Sequence, residues 1–400
     1  MAITGATLSA IQGALKRDYI GPLRDQLNNA TILFKRLQRN EDDVSGDTLT
    51  AYVPLVFERN QGVGARADGG ALPTARFRGT KQTAIPLKYN YGRIEVTGPA
   101  IAGSRNAATA FMKVVDFEIR GMVEGLKNDN NRQLWSDGSG AMCQVNGTST
   151  GTAVTVDTPG TDYLEAGMYI DTYSAKSGGS AGADSASIAS VDSSTTLTLD
   201  SAATFTDNYF LFREDSRGNE MMGLLGIIDN TTNTSTLQSI DKTVDTWFQA
   251  NVLHNSGTNR ALTLDLMQQA SDAAEIDGGR ISLIASTYAL RRKYADLLVA
   301  DKRFVNKLTL DGGFSALEYS AGGEPIPFVV DKHARANTIF FIDESTLSIY
   351  RASDFDWMDQ DGNILSRVSG YDAYEAILYV YQNLGCSAPN HSTVLRDLTQ

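Results

Sequence analysis

The stretch from about Thr74 to Trp135 restricts the possible folds of this chain more than any other. It begins as a basic, extended segment, TARFRGTKQTAIPLKYNYGRIEVTG, and runs without a break in composition into SRNAATAFMKVVDFEIRGMVEGLKNDNNRQLW. In the latter segment Ala108, Met112, Val115, Ile119, Met122 and Leu126 recur in steps of four and three, with Phe111 beside them. That spacing puts them on one stripe of a helix. Ser104 is placed to cap its start, because a serine oxygen accepts from a free first-turn amide. From Ser104 to Trp135 such a helix spans roughly 45 Å at about 1.5 Å per residue, far beyond the usual helix of about 11 residues. An exposed arm feeding a long one-sided helix is built to reach neighbours, and it does not look like the start of an enzyme.

Charge sharpens that reading. Residues 1–40 carry +4, residues 41–57 carry −4 and residues 58–93 carry +5, which leaves −17 for the rest of a chain with net charge −12. The bases of the third segment include Arg66, Arg76, Arg78, Lys81 and Lys88, and these five are the candidate inter-subunit contacts. A basic arm on an acidic body is expected where the arm of one copy lies on the body of another. Between residues 62 and 79 lie five glycines and no apolar period, so this segment reads as a long exposed loop. The strand-like residues 49–57 and 83–97 on either side form a long ribbon. An isolated two-stranded ribbon is only marginally stable, so it needs something to lie on.

The remaining segments fall in order. Residues 1–40 hold an amphipathic pattern interrupted by Gly21-Pro22 and followed by the acidic EDDVSGD (41–47), the pattern of a docked N-terminal arm with short helices. Residues 144–213 are rich in Ser, Thr, Gly and Ala and contain strand candidates at 152–157, 167–174, 187–192, 195–200 and 208–215. Short strands punctuated by turn signals indicate a small β-barrel or sandwich inserted into a larger body. Residues 214–400 are mixed α/β: helices at 262–276 and 287–300, a buried strand at 278–286, a glycine-rich hairpin or loop at 306–324, and strands through PIPFVVD, NTIFFID and TLSIYR to the closing segments 371–381 and 393–398.

Catalytic and cofactor patterns are missing. His254, His333 and His391 have no Cys or carboxylate at ligand spacing, so no metal or cofactor is expected; each reads as a surface or lightly packed histidine. The acidic run ASDFDWMDQDGN, with Asp354, Asp356, Asp359 and Asp361, lacks the terminal Glu of an EF-hand. It reads better as a solvated loop or as the acceptor for a basic arm. SDGSGAMC (136–143) offers Ser139 and Cys143, but its helix comes before the turn, the reverse of a nucleophile elbow. A hydrolase with its site there is one alternative. Two cysteines, Cys143 and Cys386, do not make a disulfide framework. No apolar run approaches the roughly 20 residues that cross a bilayer, and the N-terminus is not built like a secretory signal.

Taken in order, these segments resemble the major capsid proteins of tailed bacteriophages, the Hong Kong 97-type fold. TAIPLKYNYGRIEVTGPAI entering the helix, GLLGIIDN after it, RISLIASTYALRRKYADLL and EPIPFVVDKHARANTIFFID carry the resemblance. It implies an α+β chain with an N-arm (1–45), an extended loop and ribbon (46–97), a spine helix (98–143), the inserted β domain (144–213), and peripheral and axial domains (214–400). It also implies hexamers and pentamers of an icosahedral shell around double-stranded DNA, with portal, scaffold and decoration proteins as partners. No membrane is involved; the location would be the virion, with assembly in the host cytoplasm. Some relatives open with a scaffolding segment that a protease removes, and the start of this sequence matches instead a matured form or one with a separate scaffold. Others join Lys to Asn of a neighbour; Lys81, Lys88 and Asn363 lie in the matching regions, but no carboxylate is placed to catalyse the bond, so it is not expected. An encapsulin-type compartment is the other shell alternative, and a non-capsid virion or surface-layer protein a third reading.

Overall fold

A computed structural model describes residues 31–99, 108–157, 159–300, 308–310, 314–321, 324–359 and 364–400. The helices expected within residues 1–30, the Ser104 cap, Asp361 and Asn363 lie outside them.

Thr31 accepts from the Phe34 amide at 3.4 Å and starts the short helix α1 (Ile32–Arg36), which buries Leu33 and Phe34. β1 (Gln38–Asn40) follows. β2 (Val44–Ser45), β3 (Thr50–Val56) and β4 (Thr80–Pro86) form an antiparallel three-stranded ribbon. Ala51, Leu55, Thr83 and Ile85 on it are buried, in the alternation a one-sided sheet requires. Residues 57–79 between β3 and β4 form no strand or helix.

The ribbon is shorter than the sequence implies. Its ladder ends at the Thr50–Pro86 pair, and β5 (Lys88–Thr97) leaves for a different sheet. Pro86 has no amide to donate, so it suits the end of a ladder, and buried Leu87 makes the transition. Along β5, Asn90, Ile94 and Val96 are buried while Tyr89, Tyr91, Arg93 and Glu95 face outward.

The buried face of β5 meets the long helix α2 (Ala108–Trp135), whose 28 residues span roughly 40 Å. From the expected stripe, Ile119 and Leu126 are buried against Ile94 and Val96 with Val123, and Met122 packs beside them. Gly92 permits this approach, since a Cβ there would lie 2.9 Å from the Met122 side chain.

β6 (Ala141–Gln144), β7 (Ala153–Thr155), β8 (Tyr169–Tyr173), β9 (Ala186–Val191), β10 (Thr196–Leu199) and β11 (Phe210–Arg213) form one antiparallel sheet in the order β6-β11-β8-β9-β10-β7. A Val145–Val156 bridge joins its two outer strands, closing the sheet on itself. Its own core includes Val145, Val154, Ile170, Ile188, Leu197, Phe205 and Leu211. The first strand starts at Ala141, ahead of the expected boundary at 144. Gly138 and Gly140, at φ +77° and +84°, make the turn out of α2.

The remainder is built on two sheets. α3 (Leu224–Ile227) is wholly buried. β12 (Thr236–Leu237) and β13 (Ile240–Asp241) form a small hairpin, and β14 (Asn251–Leu253) leads to α4 (Leu264–Ile276). Thr263 caps α4 by accepting from the Leu266 amide, and Met267, Ala270, Ser271 and Ala274 form its buried stripe. β15 (Leu283–Ser286), α5 (Tyr288–Ala300), β16 (Leu308–Leu310), β17 (Phe314–Ala321), β18 (Glu324–Val330), β19 (Ile339–Ile342), β20 (Leu347–Trp357), β21 (Ser366–Arg367), β22 (Ala373–Cys386) and β23 (Thr393–Leu395) complete the chain. One sheet runs β14-β23-β19-β15-β18-β17-β16. The other centres on β22, which pairs with β20, β21 and β5, while β1 lies parallel to the far side of β20. No helix among the described residues is long and apolar enough to cross a membrane.

Candidate assembly surface

The ribbon of β2–β4 is fixed to the body at both ends of β4. Near its base, the Asn383 amide donates to the Pro86 carbonyl at 2.7 Å, and Ile85 and Leu87 pack with Tyr350. Near its tip, Phe57 stacks on Trp247 with centroids 5.1 Å apart, and the Lys81 ammonium pairs with Asp245. The Ala84 amide donates to the Gln238 carbonyl at 3.2 Å, tying the middle of β4 to the β12–β13 hairpin. Beyond these anchors the 57–79 segment projects with its large apolar side chains in solvent: Val63 is 80 %, Leu72 86 % and Phe77 96 % exposed.

The five candidate contact residues therefore divide. Arg76 and Arg78 flank Phe77 and are exposed. Arg66 is exposed and braces its own loop, donating to the Ala71 and Ala65 carbonyls at 2.9 Å. Lys81 and Lys88 are committed within the chain, Lys81 to Asp245 and Lys88 to the Gly218 carbonyl at 2.6 Å. Arg93, counted in the same basic segment, pairs with Glu375 at 2.7 Å. Lys81 and Lys88 thus hold the foot of the loop to the body, and Arg93 ties β5 to β22. Nothing local to Asp245 or Glu375 marks either acid as a partner, because both pairings join residues far apart in the chain.

A second set of contacts fixes α2. Arg132 forks onto Glu220, Nη1 to Oε2 at 3.0 Å and Nη2 to Oε1 at 2.5 Å, and also donates to Asp129. Both members of the pair are buried. Burial alone would lower the Arg132 guanidinium, but the carboxylates of Glu220 and Asp129 outweigh it and hold it above its ordinary value. Asp129 also pairs with Arg213 of β11 at 3.2 Å, so one cluster joins α2, the closed β unit and the segment before α3. Gly223 completes the joint. A Cβ there would meet the carbonyl oxygens of Gln133, Ser136 and Leu134 at 2.3, 2.5 and 2.7 Å.

Several residues of the 136–143 stretch line a cavity of about 390 Å³ with Arg132, Tyr163, Lys176 and Arg335. The Ser139 hydroxyl donates to Asp137 Oδ1 at 2.5 Å, and Asp137 Oδ2 takes Lys176 at 2.5 Å. Burial would raise Asp137, but Lys176 and Ser139 hold it below its usual value, which suits a structural carboxylate and not a general base. Burial pushes the Cys143 thiol up to about 12, away from the reactive thiolate. Neither candidate nucleophile is activated. His333 is a buried residue, contrary to the surface or lightly packed site expected of it. It stacks on Tyr163 at 6.0 Å, and burial, helped by Lys332 and Arg132, lowers it to about 4. Of the acidic run, Asp354 pairs with Arg351 at 3.0 Å, and Asp356 accepts from the Trp357 amide. Among the described residues no group of three or more His, Cys, Asp or Glu is arranged to hold a metal ion.

Residues 194–362 match the family model described as SU10 major capsid protein. Among solved structures, the chain is similar to the "Cyanophage A-1(L) capsid asymmetric unit", with TM-score 0.56, 16% identity and 91% of each chain covered. It is also similar to the holo-SrpI encapsulin complex from Synechococcus elongatus PCC 7942, with TM-score 0.44, 8% identity, and 94% of this chain and 91% of that one covered. The "Capsid of empty GTA particle computed with C5 symmetry" gives TM-score 0.47 and 11% identity, over 92% of this chain and 89% of that one. The first of these establishes the fold: mixed helix and strand, of the Hong Kong 97 capsid type. No curated protein matches the sequence.

Proposed function

We infer that this chain is the major capsid protein of a tailed bacteriophage, a structural protein that assembles into the shell. The match of residues 194–362 to a major capsid protein family carries this reading, and the capsid fold supports it. Copies associate as hexamers and pentamers of an icosahedral shell enclosing double-stranded DNA, which the inner face meets without sequence preference. Portal, scaffold and decoration proteins complete the particle, assembled in the host cytoplasm.

The projecting 57–79 loop is what one copy offers the next, with Arg66, Arg76 and Arg78 as its charged contacts and Lys81 and Lys88 as its footing. Magnitudes rank its contributions. Exposed charge pairs contribute about 0–1 kcal/mol each. Fully burying a side chain the size of Val, Leu or Phe contributes about 1.5–3 kcal/mol. Val63, Leu72 and Phe77, at 80–96 % exposure, therefore weigh more than the arginines. Their exposure also explains why the loop needs a neighbour, since a soluble monomer gains nothing from them.

Negative-stain imaging of the purified chain tests the proposal, and closed shells or capsomers are expected. Leu72→Ser with Phe77→Ser should abolish closed shells and leave the circular dichroism unchanged. Wild-type protein that forms neither shells nor capsomers would overturn the reading.

A further inference from the structure

The cavity of about 390 Å³ at the end of α2 takes its walls from two parts of the chain. Met142, Gln144 and Phe210 come from strands β6 and β11 of the closed β unit, whereas Leu225 comes from α3 and Arg335 from the turn between β18 and β19. Its volume lies in the range of small-molecule pockets, about 300–1,000 Å³. Three cations line it, and two of them are already matched. Arg132 forks onto Glu220, and Lys176 pairs with Asp137. Arg335 is half-buried, and among the described residues no hydrogen bond or ion pair engages its side chain. Its charge is nonetheless felt inside. Burial raises the Cys143 thiol and the Tyr163 hydroxyl, and the positive charge of Arg335 opposes that rise at each. Both of those residues line the same cavity, so the guanidinium stands at its wall and not out in bulk water.

A half-buried cation without a partner has given up hydration with no compensating contact, so an anion that reaches it is stabilised there. The planar guanidinium forks onto two oxygens of a carboxylate or a phosphate. The rest of the wall narrows the choice. Met142, Phe210 and Leu225 offer apolar surface that a bare ion cannot use and that an apolar body covers. The chain as a whole carries −12, so anions are not drawn to its surface at large. Attraction has to be local, at the one lining cation left unmatched.

We propose that this cavity binds a small organic anion: a carboxylate or phosphate group held by Arg335, on an apolar or aromatic body packed against Met142, Phe210 and Leu225. An occupant touches the closed β unit and the body at once, and so fixes the one against the other. The site belongs to the folded subunit and does not depend on the shell reading above. It gives the 136–143 stretch a part in binding, in place of catalysis.

Titration calorimetry on the purified full chain tests it with four probes. Benzoate and phenyl phosphate carry both the anion and the ring, benzyl alcohol lacks the charge, and inorganic phosphate lacks the ring. At least one of benzoate and phenyl phosphate should bind at one site per chain with a dissociation constant below about 1 mM, and the tighter of the two names the head group. Benzyl alcohol and inorganic phosphate should bind at least tenfold more weakly than that probe. Arg335→Met removes the charge and should fold as the wild type does, because no other described residue is held by Arg335; it should weaken the binding at least tenfold. Arg335→Lys keeps the charge without the fork and should fall between the two. Thermal unfolding gives a second readout, since the bound probe raises the midpoint of the wild type and not that of Arg335→Met. The comparison among the four probes needs no variant, so it decides even where a substitution perturbs the fold. No saturable binding of either benzoate or phenyl phosphate, or binding unchanged in a folded Arg335→Met, would overturn the site. So would equal binding of benzyl alcohol, which marks a merely apolar cavity, or of inorganic phosphate, which marks a bare ion site.

Discussion

Replacing Arg132 by Met should destabilise the unassembled protein by about 3–5 kcal/mol, because it strands a buried carboxylate. Arg132 and Glu220 side chains are 6 % and 3 % exposed and joined by two hydrogen bonds. With the guanidinium gone, Glu220 is buried without a hydrogen-bonded counter-charge, and only the more distant Arg213, itself held by Asp129, offsets it. The double variant Arg132→Met, Glu220→Leu should behave differently. It removes both charges, and Asp129 keeps Arg213 at 3.2 Å and the Gln133 amide at 2.7 Å. Replacing both members of such a pair by apolar groups is often neutral or stabilising, so the double variant should be more stable than the Arg132→Met single by at least about 2 kcal/mol. Urea unfolding followed by circular dichroism gives the cycle. A pH series adds an independent check. In the single variant burial pushes the Glu220 carboxyl up, so the folded state holds its proton more tightly than the unfolded state. Stability is then gained as pH falls toward the unfolded carboxyl value, and the penalty of Arg132→Met shrinks from pH 8 to pH 5. A double variant as damaged as the sum of its singles, or a single variant costing under about 1 kcal/mol, would refute the reasoning.

Other outcomes follow from the same structure. Gly223→Ala forces a methyl within 2.3 Å of the Gln133 carbonyl oxygen, where only backbone can yield; it should cost about 3 kcal/mol or more by urea unfolding. His333 is held down at about 4 in the folded chain against a reference of 6.5. As pH falls the unfolded chain takes up that proton first, so stability drops between pH 6.5 and 4, by about 3 kcal/mol, and His333→Phe should flatten that stretch of the pH profile. Cys143 and Cys386, both buried with thiols raised to about 12, should react with maleimide at pH 7.5 only slowly until denaturant is added. Equal labelling rates with and without denaturant would contradict their burial.

Features carried by local period are legible in the sequence. The stripe Met267, Ala270, Ser271, Ala274 and its Thr263 cap lie within one helix, so neighbouring residues are enough to find them. Pairings between distant residues are not. β5 reads locally as the return strand of the ribbon, although its ladder partner is β22, at the other end of the chain. Period-two alternation says that a segment is a strand and is silent on its partner. Lys81 counts as charge available to a neighbour for the same reason, since nothing near it in sequence points to Asp245. Strand β6 is hidden because SDGSGAM is dominated by turn residues, and the short apolar run after them carries no period. The ring contacts of Tyr89 and Tyr91 with Tyr381 are equally hidden, because they form only through that distant ladder.

The β5–β22 ladder has a mechanical consequence. Ten residue pairs, from Lys88–Gln382 to Thr97–Ala373, join the strand that follows the ribbon to the strand at the centre of the sheet. Tension on the projecting loop that the anchors along β4 do not take up enters β5 at Lys88 and runs along its length, so the ten pairs share it in shear. A neighbour pulling on the loop would therefore meet a stiff, brittle joint that yields at high force and all at once. Load that a projecting loop takes up in this way is carried to the strand at the centre of the sheet.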